Sequence, residues 1–197
     1  MEGKEGMRMK LVLASLSPRR KQLLKQVGVE CEIRGAKVDE RLDPGLTPAE
    51  NAEALALKKA RAVAPQAGGA AVLAADTLVV AGGRVLGKPR DEEEAQRMLM
   101  TLQGGWHEVV TGYALVLPDE TERSGSAVTR VCFAKMTPGA VRRYIREYRP
   151  TDKAGAYGIQ DGMARYIRRV EGCFYNVMGL PIERVCRLLE DAGVIEE

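Results

Sequence analysis

The chain has 197 residues, of which 45% are apolar and 29% charged, and its formal net charge is +3. This composition predicts a globular protein with one full core or two small lobes, and the charge is too small to argue for nucleic-acid binding. No apolar run approaches the roughly 20 residues that a membrane helix needs, and the polar segment 1–10 lacks the apolar core of a signal peptide. The four scattered cysteines form no C-x-x-C pair, so we expect reduced thiols and a cytoplasmic protein.

The first predicted elements are a short strand and a helix that follows it directly. Residues 11–14 form an apolar run of strand length, and residues 15–17 make the turn. Ser17 suits the N-cap position, and Pro18 suits the first helical position, where its missing N–H costs nothing.

Basic residues occupy the first turn of this helix, where the free N–H groups already carry partial positive charge. Arg19 and Arg20 are therefore misplaced unless an anion docks there, which predicts a phosphate site. The alternative is an ordinary amphipathic helix with Leu23, Leu24 and Val27 facing the core. Both interpretations can hold together, because the leucines and the arginines lie on different faces.

The middle of the chain alternates helices and strands. The capping box Thr47–Glu50 opens a helix to residue 64 that carries Lys59. The apolar segment 71–75 is a predicted strand that ends at Asp76, and the glycines near residue 82 predict a hairpin between segments 78–80 and 84–86. Asp91 caps a helix that runs to residue 102.

The second half predicts longer strands. Segments 106–117 and 127–135 are rich in β-formers and should pair with each other. A capped helix should span 137–148. Segment 165–170 could be a strand, and a terminal helix should follow at 181–192. We interpret Trp106 as a core residue and the single histidine, His107, as structural. The alternation of elements predicts an α/β fold with a mixed sheet.

Asp76 is the clearest chemical signal in the sequence. A carboxylate after an apolar strand lies where α/β sheets place their ligands, and it is costly there unless it is paired or bound to a metal. The alternative is an Asp that caps a turn through Thr77. Asp39 and Glu40, in an irregular segment, could add a second metal-binding oxygen, although solvated loop acids are the simpler interpretation.

Two glycine-containing stretches have competing interpretations. The spacing from Gly82 to Lys88 resembles a P-loop, but Pro89 stands where Ser or Thr is required, so we reject that motif. Lys88 is then either a phosphate contact or a solvated turn lysine. In segment 153–160 the glycines allow close approach to a ligand, and Gln160 can donate and accept as base recognition requires; a compact loop is the alternative.

Five segments together resemble the Maf family of nucleoside triphosphate pyrophosphatases. They are Ser15-Leu-Ser-Pro-Arg-Arg-Lys-Gln-Leu-Leu24, Ala75-Asp-Thr-Leu-Val79, Gly87-Lys-Pro-Arg-Asp91, Lys153-Ala-Gly-Ala-Tyr-Gly-Ile-Gln160 and Gly179-Leu-Pro181. Segment 153–160 resembles the branch that acts on dTTP and UTP more than the branch that acts on 7-methyl-GTP. Asp161 departs from the family pattern, where glycine is common, and so does Cys173-Phe174, where Ser-Tyr is frequent.

The resemblance implies a function for residues at matching positions. Asp76 would be the proton acceptor and, with Glu40, a ligand of Mg²⁺ or Mn²⁺. The triphosphate would be held by Ser15, Arg19, Lys59 and Lys88, and the base would be read by Arg20, Thr77 and Gln160. The implied fold is the α/β Maf/inosine-triphosphatase type, in which an elongated mixed sheet with flanking helices forms a central cleft between two lobes.

The resemblance also implies an organisation and partners. We expect a flexible tail at residues 1–8 and a single Maf-like domain at 9–197, with a nucleoside triphosphate as substrate and a homodimer. The small net charge and the lack of a long apolar run predict no nucleic-acid or membrane partner. Family members are linked to inhibition of septum formation. Three alternatives stay open: a pyrophosphatase for another modified nucleotide, a nucleotide-sensing septation regulator and, ranked last, a nucleic-acid-binding module.

Overall fold

A computed structural model describes residues 9–196 and contains one mixed sheet in that range. Its strands are β1 Leu11–Leu13, β2 Glu32–Ile33, β3 Ala71–Ala81, β4 Arg84–Leu86, β5 Trp106–Val116, β6 Glu122–Phe133 and β7 Ile167–Glu171. The strand order is β2-β1-β3-β5-β6-β7, and β4 pairs with β3. Strand β1 is parallel to β2 and β3, whereas the other pairs are antiparallel. The predicted α/β class, mixed sheet and hairpin are confirmed.

Helices flank the sheet, and three of them begin at predicted capping side chains. They are α1 Pro18–Gln26, α2 Pro48–Val63, α3 Glu92–Leu102, α4 Pro138–Tyr148, α5 Phe174–Met178 and α6 Ile182–Asp191. The side chains of Thr47, Asp91 and Thr137 each accept a hydrogen bond from the backbone N–H three residues on. Ser17 occupies the N-cap of α1 with Pro18 after it, but its side chain makes no capping bond.

Alternate residues of the central strands pack against different helices. Leu73 and Leu115 belong to the core cluster that also contains Leu24 of α1 and residues of α6. Val72 and Ala114 belong to the cluster that contains the small buried residues of α2. Because successive strand residues point to opposite faces, α1 and α6 cover one face of the sheet and α2 covers the other.

The edge of β3 that faces β1 contains a gap. Strand β1 pairs with residues 71–73 and β4 pairs with residues 79–81, while β5 occupies the opposite edge along residues 72–80. Asp76 and Thr77 lie in this gap, in the middle of an eleven-residue strand. The prediction that the strand ends at Asp76 is therefore wrong, and so is the turn-capping alternative.

Two other expectations are corrected. Val27 and Trp106 are exposed rather than in the core, and the Trp106 ring instead lies 4.5 Å from the guanidinium of Arg130. The short helix α5 had no counterpart among the predicted elements. His107, which we interpret as structural, is buried; its Nε2 lies 2.7 Å from the Tyr157 hydroxyl, and burial lowers its pKa to about 4.

Within residues 9–196, no helix combines the length and apolarity needed to cross a membrane. The predicted tail, residues 1–8, lies outside the described residues. The single-domain boundary at 9–197 stays a prediction.

Gly112 determines how closely α2 approaches the sheet. It pairs with Asp76 across β3 and β5, and a Cβ added there would lie 2.2 Å from the backbone of Ala52 in α2. We expect Gly112→Ala to lower the free energy of unfolding by about 3 kcal/mol or more, because a helix backbone must move. Urea denaturation measures this. Gly105→Ala, whose Cβ would meet its nearest neighbour at 4.0 Å, is the control; equal stability of both variants would contradict the account.

Candidate active site

The gap in β3 opens into a cleft of about 890 Å³. Every residue to which the family resemblance gave a function lines this cleft: Ser15, Arg19, Arg20, Glu40, Lys59, Asp76, Thr77, Lys88 and Gln160. The structure therefore brings together residues from α1, α2, β3 and four loops. Asp39 pairs instead with the neighbouring Arg41 through contacts of 2.7 Å. The individual functions of the nine residues stay predictions.

A buried ion pair stands at the centre of the cleft. The Nζ atom of Lys59 on α2 lies 2.5 Å from Oδ1 of Asp76 and 2.6 Å from Oε1 of Glu40. Lys59 and Asp76 are 9% and 8% exposed, so water screens their attraction only weakly. The even-numbered residues of β3 face α2, which is why a helical lysine reaches Asp76.

Glu40 is the more exposed carboxylate of this centre. The hydrogen bond from Lys59 holds the pKa of Glu40 below its ordinary value, and the nearby charges of Lys88 and Arg20 add to the effect. Lys88 is exposed on the loop that follows β4. Two carboxylates and several cations thus share one small volume.

Arg20 links three segments of the cleft. Its Nε donates to the carbonyl of Gly179 at 2.8 Å, and its two terminal nitrogens donate to Oγ of Ser15 at 3.1 Å and Oγ1 of Thr77 at 3.0 Å. Burial lowers the pKa of the guanidinium, although Asp76 raises it. An arginine can satisfy three acceptors at fixed angles, as a lysine cannot.

A buried polar chain continues behind Thr77. Its hydroxyl lies 3.0 Å from the hydroxyl of Thr111 on β5, which donates to the carbonyl of Asn176 at 3.1 Å. The amide of Asn176 donates in turn to Val109 and Thr129. This chain fixes the Thr77 side chain, because its partners are themselves buried and bonded.

The turn before α1 contributes hydroxyl and N–H groups. The backbone N–H of Ser17 donates to Oγ of Ser15 at 3.2 Å. Arg19, in the first turn of α1, pairs with Asp152 at 3.0 Å. A carboxylate of the chain itself therefore lies beside this arginine, and the phosphate site predicted at the start of α1 stays a prediction.

The loop that carries Gln160 is anchored at both ends. At one end the N–H of Gly155, a residue with φ of 64°, donates to the carbonyl of Gly87. At the other end the hydroxyl of Tyr144 lies 3.0 Å from both carboxylate oxygens of Asp161 and accepts from the N–H of Gly158. Gln160 itself is exposed to the cleft, so its amide is accessible to a ligand.

The donor set suits a hard divalent cation. The carboxylates of Asp76 and Glu40 converge on one point, now held by the ammonium of Lys59. Among residues 9–196 there is no cluster of three or more His, Cys, Asp or Glu side chains that could hold a metal alone. Mg²⁺ and Mn²⁺ fit such a site because one or two carboxylates with water and substrate phosphates complete their shell.

Comparison with known proteins identifies the family. A family model described as Maf-like protein matches residues 10–192. The chain belongs to the Maf family. A relative from Carboxydothermus hydrogenoformans named dTTP/UTP pyrophosphatase is 47% identical over 186 residues, which are 94% of this chain and 100% of the relative. Another of the same name, from Symbiobacterium thermophilum, is 48% identical over 183 residues, 93% of this chain and 94% of the relative.

A solved structure confirms the fold. A HAM1 protein from Coxiella burnetii superposes with a TM-score of 0.53 and 18% sequence identity, over 93% of this Maf chain and 99% of its own. At 18% identity, this similarity shows a shared fold and supports no conclusion about activity. The predicted Maf/inosine-triphosphatase architecture, an elongated mixed sheet with a cleft, is thereby confirmed.

Several residues of this Maf protein that line the cleft or support Thr77 from behind were not predicted. Thr111 and Asn176 lie outside the recognised segments, and their place in the site depends on strand pairing that no local pattern encodes. Lys153 belongs to a recognised segment and Asp152 precedes it, but neither was given a function. The sequence signal that could have pointed to these two residues is the pair of adjacent opposite charges just before the glycines of segment 153–160.

The contacts of Arg20 predict that it stabilises the fold as well as the site. We expect Arg20→Lys to lower the free energy of unfolding by about 2 kcal/mol, because the Gly179 carbonyl and the Thr77 hydroxyl lose a charged donor. Chemical denaturation measures the change. Arg187→Lys, at an exposed helix pair, should stay within about 0.5 kcal/mol of the wild type. Equal losses in the two variants would contradict the assignment.

Proposed function

We propose that this protein hydrolyses dTTP and UTP to the nucleoside monophosphate and pyrophosphate. The observation that carries the proposal is the buried Asp76–Lys59–Glu40 centre in a cleft lined by Arg19, Arg20 and Lys88. The family assignment and the names of the relatives support hydrolysis of nucleoside triphosphates, and the choice of dTTP and UTP follows the relatives' names.

Electrostatics favour a triphosphate in this cleft. A nucleoside triphosphate carries about four negative charges near neutral pH, so it needs cations on several sides. Arg19, Lys59 and Lys88 supply positive charge, and the turn at Ser15 supplies hydroxyl and N–H donors. A Mg²⁺ or Mn²⁺ ion held by Asp76 and Glu40 would neutralise charge that develops on the phosphates.

Asp76 is the proposed general base. As an ion-paired carboxylate in the middle of β3, it can accept the proton of a water molecule that attacks the α-phosphorus. The water oxygen forms the new bond to phosphorus, the bond to the bridging oxygen breaks, and pyrophosphate leaves. Lys59 holds the carboxylate in place and stabilises negative charge in the transition state.

Arg20, Thr77 and Gln160 are the proposed base-recognition residues. Arg20 and Thr77 hydrogen-bond to each other, and Gln160 is exposed on the facing loop. An amide side chain can donate and accept, which matches the adjacent N–H and carbonyl groups of thymine and uracil. Removal of one such partner typically costs a factor of ten or more in discrimination, because the remaining buried polar group is unpaired.

Three further expectations remain proposals. The family resemblance implies a homodimer and a link to arrest of septum formation, and the scattered cysteines predict a cytoplasmic location. Hydrolysis of another modified nucleotide, such as 7-methyl-GTP, is the alternative activity. A septation regulator that only senses nucleotides would have no use for a base at Asp76, so the buried charged centre favours the enzyme.

The test is release of pyrophosphate from dTTP, UTP, CTP, ATP, GTP and 7-methyl-GTP with Mg²⁺ or Mn²⁺. We expect preference for dTTP and UTP, and we expect Asp76→Asn to lower kcat by at least roughly 100-fold, because general-base catalysis contributes about 10²–10⁴. Asp191→Asn, at the exposed end of α6, is the control and should leave kcat unchanged.

Three outcomes would count against the proposal. Cleavage of other nucleotides alone would overturn the substrate assignment, and near-normal turnover by Asp76→Asn would overturn the mechanism. Absence of hydrolysis for every nucleotide would overturn the enzymatic function and favour the sensing alternative.

A further inference from the structure

A single carboxylate joins the two walls of the cleft. Oδ2 of Asp152 lies 3.0 Å from Nη1 of Arg19, and Oδ1 of the same group lies 2.7 Å from Nζ of Lys153. Arg19 belongs to α1, whereas Asp152 and Lys153 follow α4. All three side chains line the cleft, so this pair of contacts connects segments that are 133 residues apart in sequence.

The cations of this cluster are more shielded than the anion. The side chains of Lys153 and Arg19 are 17% and 23% exposed, whereas that of Asp152 is 55% exposed. Burial raises the pKa of Asp152, but the hydrogen bonds from Lys153 and Arg19 outweigh this and leave it below the ordinary value. The carboxylate of Asp152 can therefore rotate towards solvent at low cost. The two cations are more shielded from water, so they are stable in the cleft only with an anion beside them.

The backbone holds Lys153 against the cleft. Its N–H donates to the carbonyl of Pro150 at 3.2 Å, and its own carbonyl accepts from Ala156 at 3.1 Å. Two residues on, Gly155 donates to the carbonyl of Gly87, the residue before Lys88. This bond joins the loop of Lys153 to the loop of Lys88, so two lysine-bearing loops form one wall of the cleft.

The carboxylate of Asp152 contacts the two cations in the way that a bound phosphate group would. It offers two oxygens, each of which accepts a charge-assisted hydrogen bond from a different cation. A phosphate group offers the same arrangement with more negative charge and a third oxygen. An anionic substrate entering the cleft would thus compete directly with Asp152 for both cations.

We propose that Lys153 is a further phosphate-binding residue, and that Asp152 holds Lys153 and Arg19 together until phosphate oxygens of the substrate replace its carboxylate. The inference rests on the proposed function, because it takes a triphosphate as the ligand. It assigns a binding residue to the loop wall, opposite α1, and it makes Asp152 an internal competitor of the substrate.

The experiment measures binding of inorganic tripolyphosphate by calorimetry, in the absence of divalent metal. We expect Lys153→Met to weaken binding by about tenfold, as loss of one charge-assisted hydrogen bond does. Lys153→Arg should restore most of the affinity. Asp152→Asn should tighten binding several-fold, because the competing charge is gone. Lys25→Met, an exposed lysine at the end of α1, is the matched control and should bind like the wild type.

A double variant separates competition from a general change in charge. If Asp152 acts by holding Lys153, then Asp152→Asn should tighten binding less in the Lys153→Met background than in the wild type. Binding of thymidine, which has no phosphate, should be the same in all variants. A change in thymidine binding in Lys153→Met would overturn the assignment to phosphate, and thermal denaturation of each variant verifies that it is folded.

Failure of this inference is distinct from failure of the proposed function. Wild-type hydrolysis of dTTP together with unchanged tripolyphosphate binding in Lys153→Met would overturn the inference alone. Weaker binding by Asp152→Asn would also overturn it, since Asp152 would then support the site rather than compete for it. If the wild type hydrolyses no nucleotide, the proposed function fails, and the tripolyphosphate measurements still decide whether Lys153 binds phosphate.

Discussion

The rest of the site depends on one interaction, the ion pairing of the Lys59 ammonium with the carboxylates of Asp76 and Glu40. A buried lysine and a buried aspartate are each costly to remove from water, and their attraction offsets this cost only when the geometry is good. That geometry requires α2 to lie flat on the even-numbered face of β3. Gly112 permits this approach, because any side chain there would meet the helix backbone. Packing and chemistry are therefore coupled through one glycine.

Strand pairing explains why the charged centre is open to a ligand. Strands β1 and β4 share one edge of β3 but leave residues 74–78 unpaired on that side. In this gap Asp76 faces α2, and Thr77 faces Arg20 of α1. Two consecutive residues thus connect the cleft to polar side chains on both faces of the sheet, Lys59 on one face and Arg20 on the other. The cations at the rim of the cleft then give it the charge that a triphosphate requires.

Much of this arrangement was predictable from local signals. Capping residues and apolar periodicity predicted the main helices and the paired strands. Seven of the nine residues that were given a function lie in the recognised segments, and the family resemblance added Glu40 and Lys59 from outside them. The continuity of β3 was missed because Asp76-Thr77 resembles a turn, and only the neighbouring strands override that preference. The positions of Thr111 and Asn176 depend on strand register and on the short helix α5. The contact of Asp152 with Arg19 could not be predicted from a local pattern, because the two residues are distant in sequence.

Hydrolysis of dTTP in water enriched in ¹⁸O tests the central claim most directly, because the label reports which phosphorus is attacked. The charged centre at Asp76 is proposed to direct water to the α-phosphorus. The account predicts that all incorporated ¹⁸O appears in the nucleoside monophosphate and none in pyrophosphate, as mass spectrometry of the two products would show. Label in pyrophosphate, or release of the terminal phosphate alone, would contradict it.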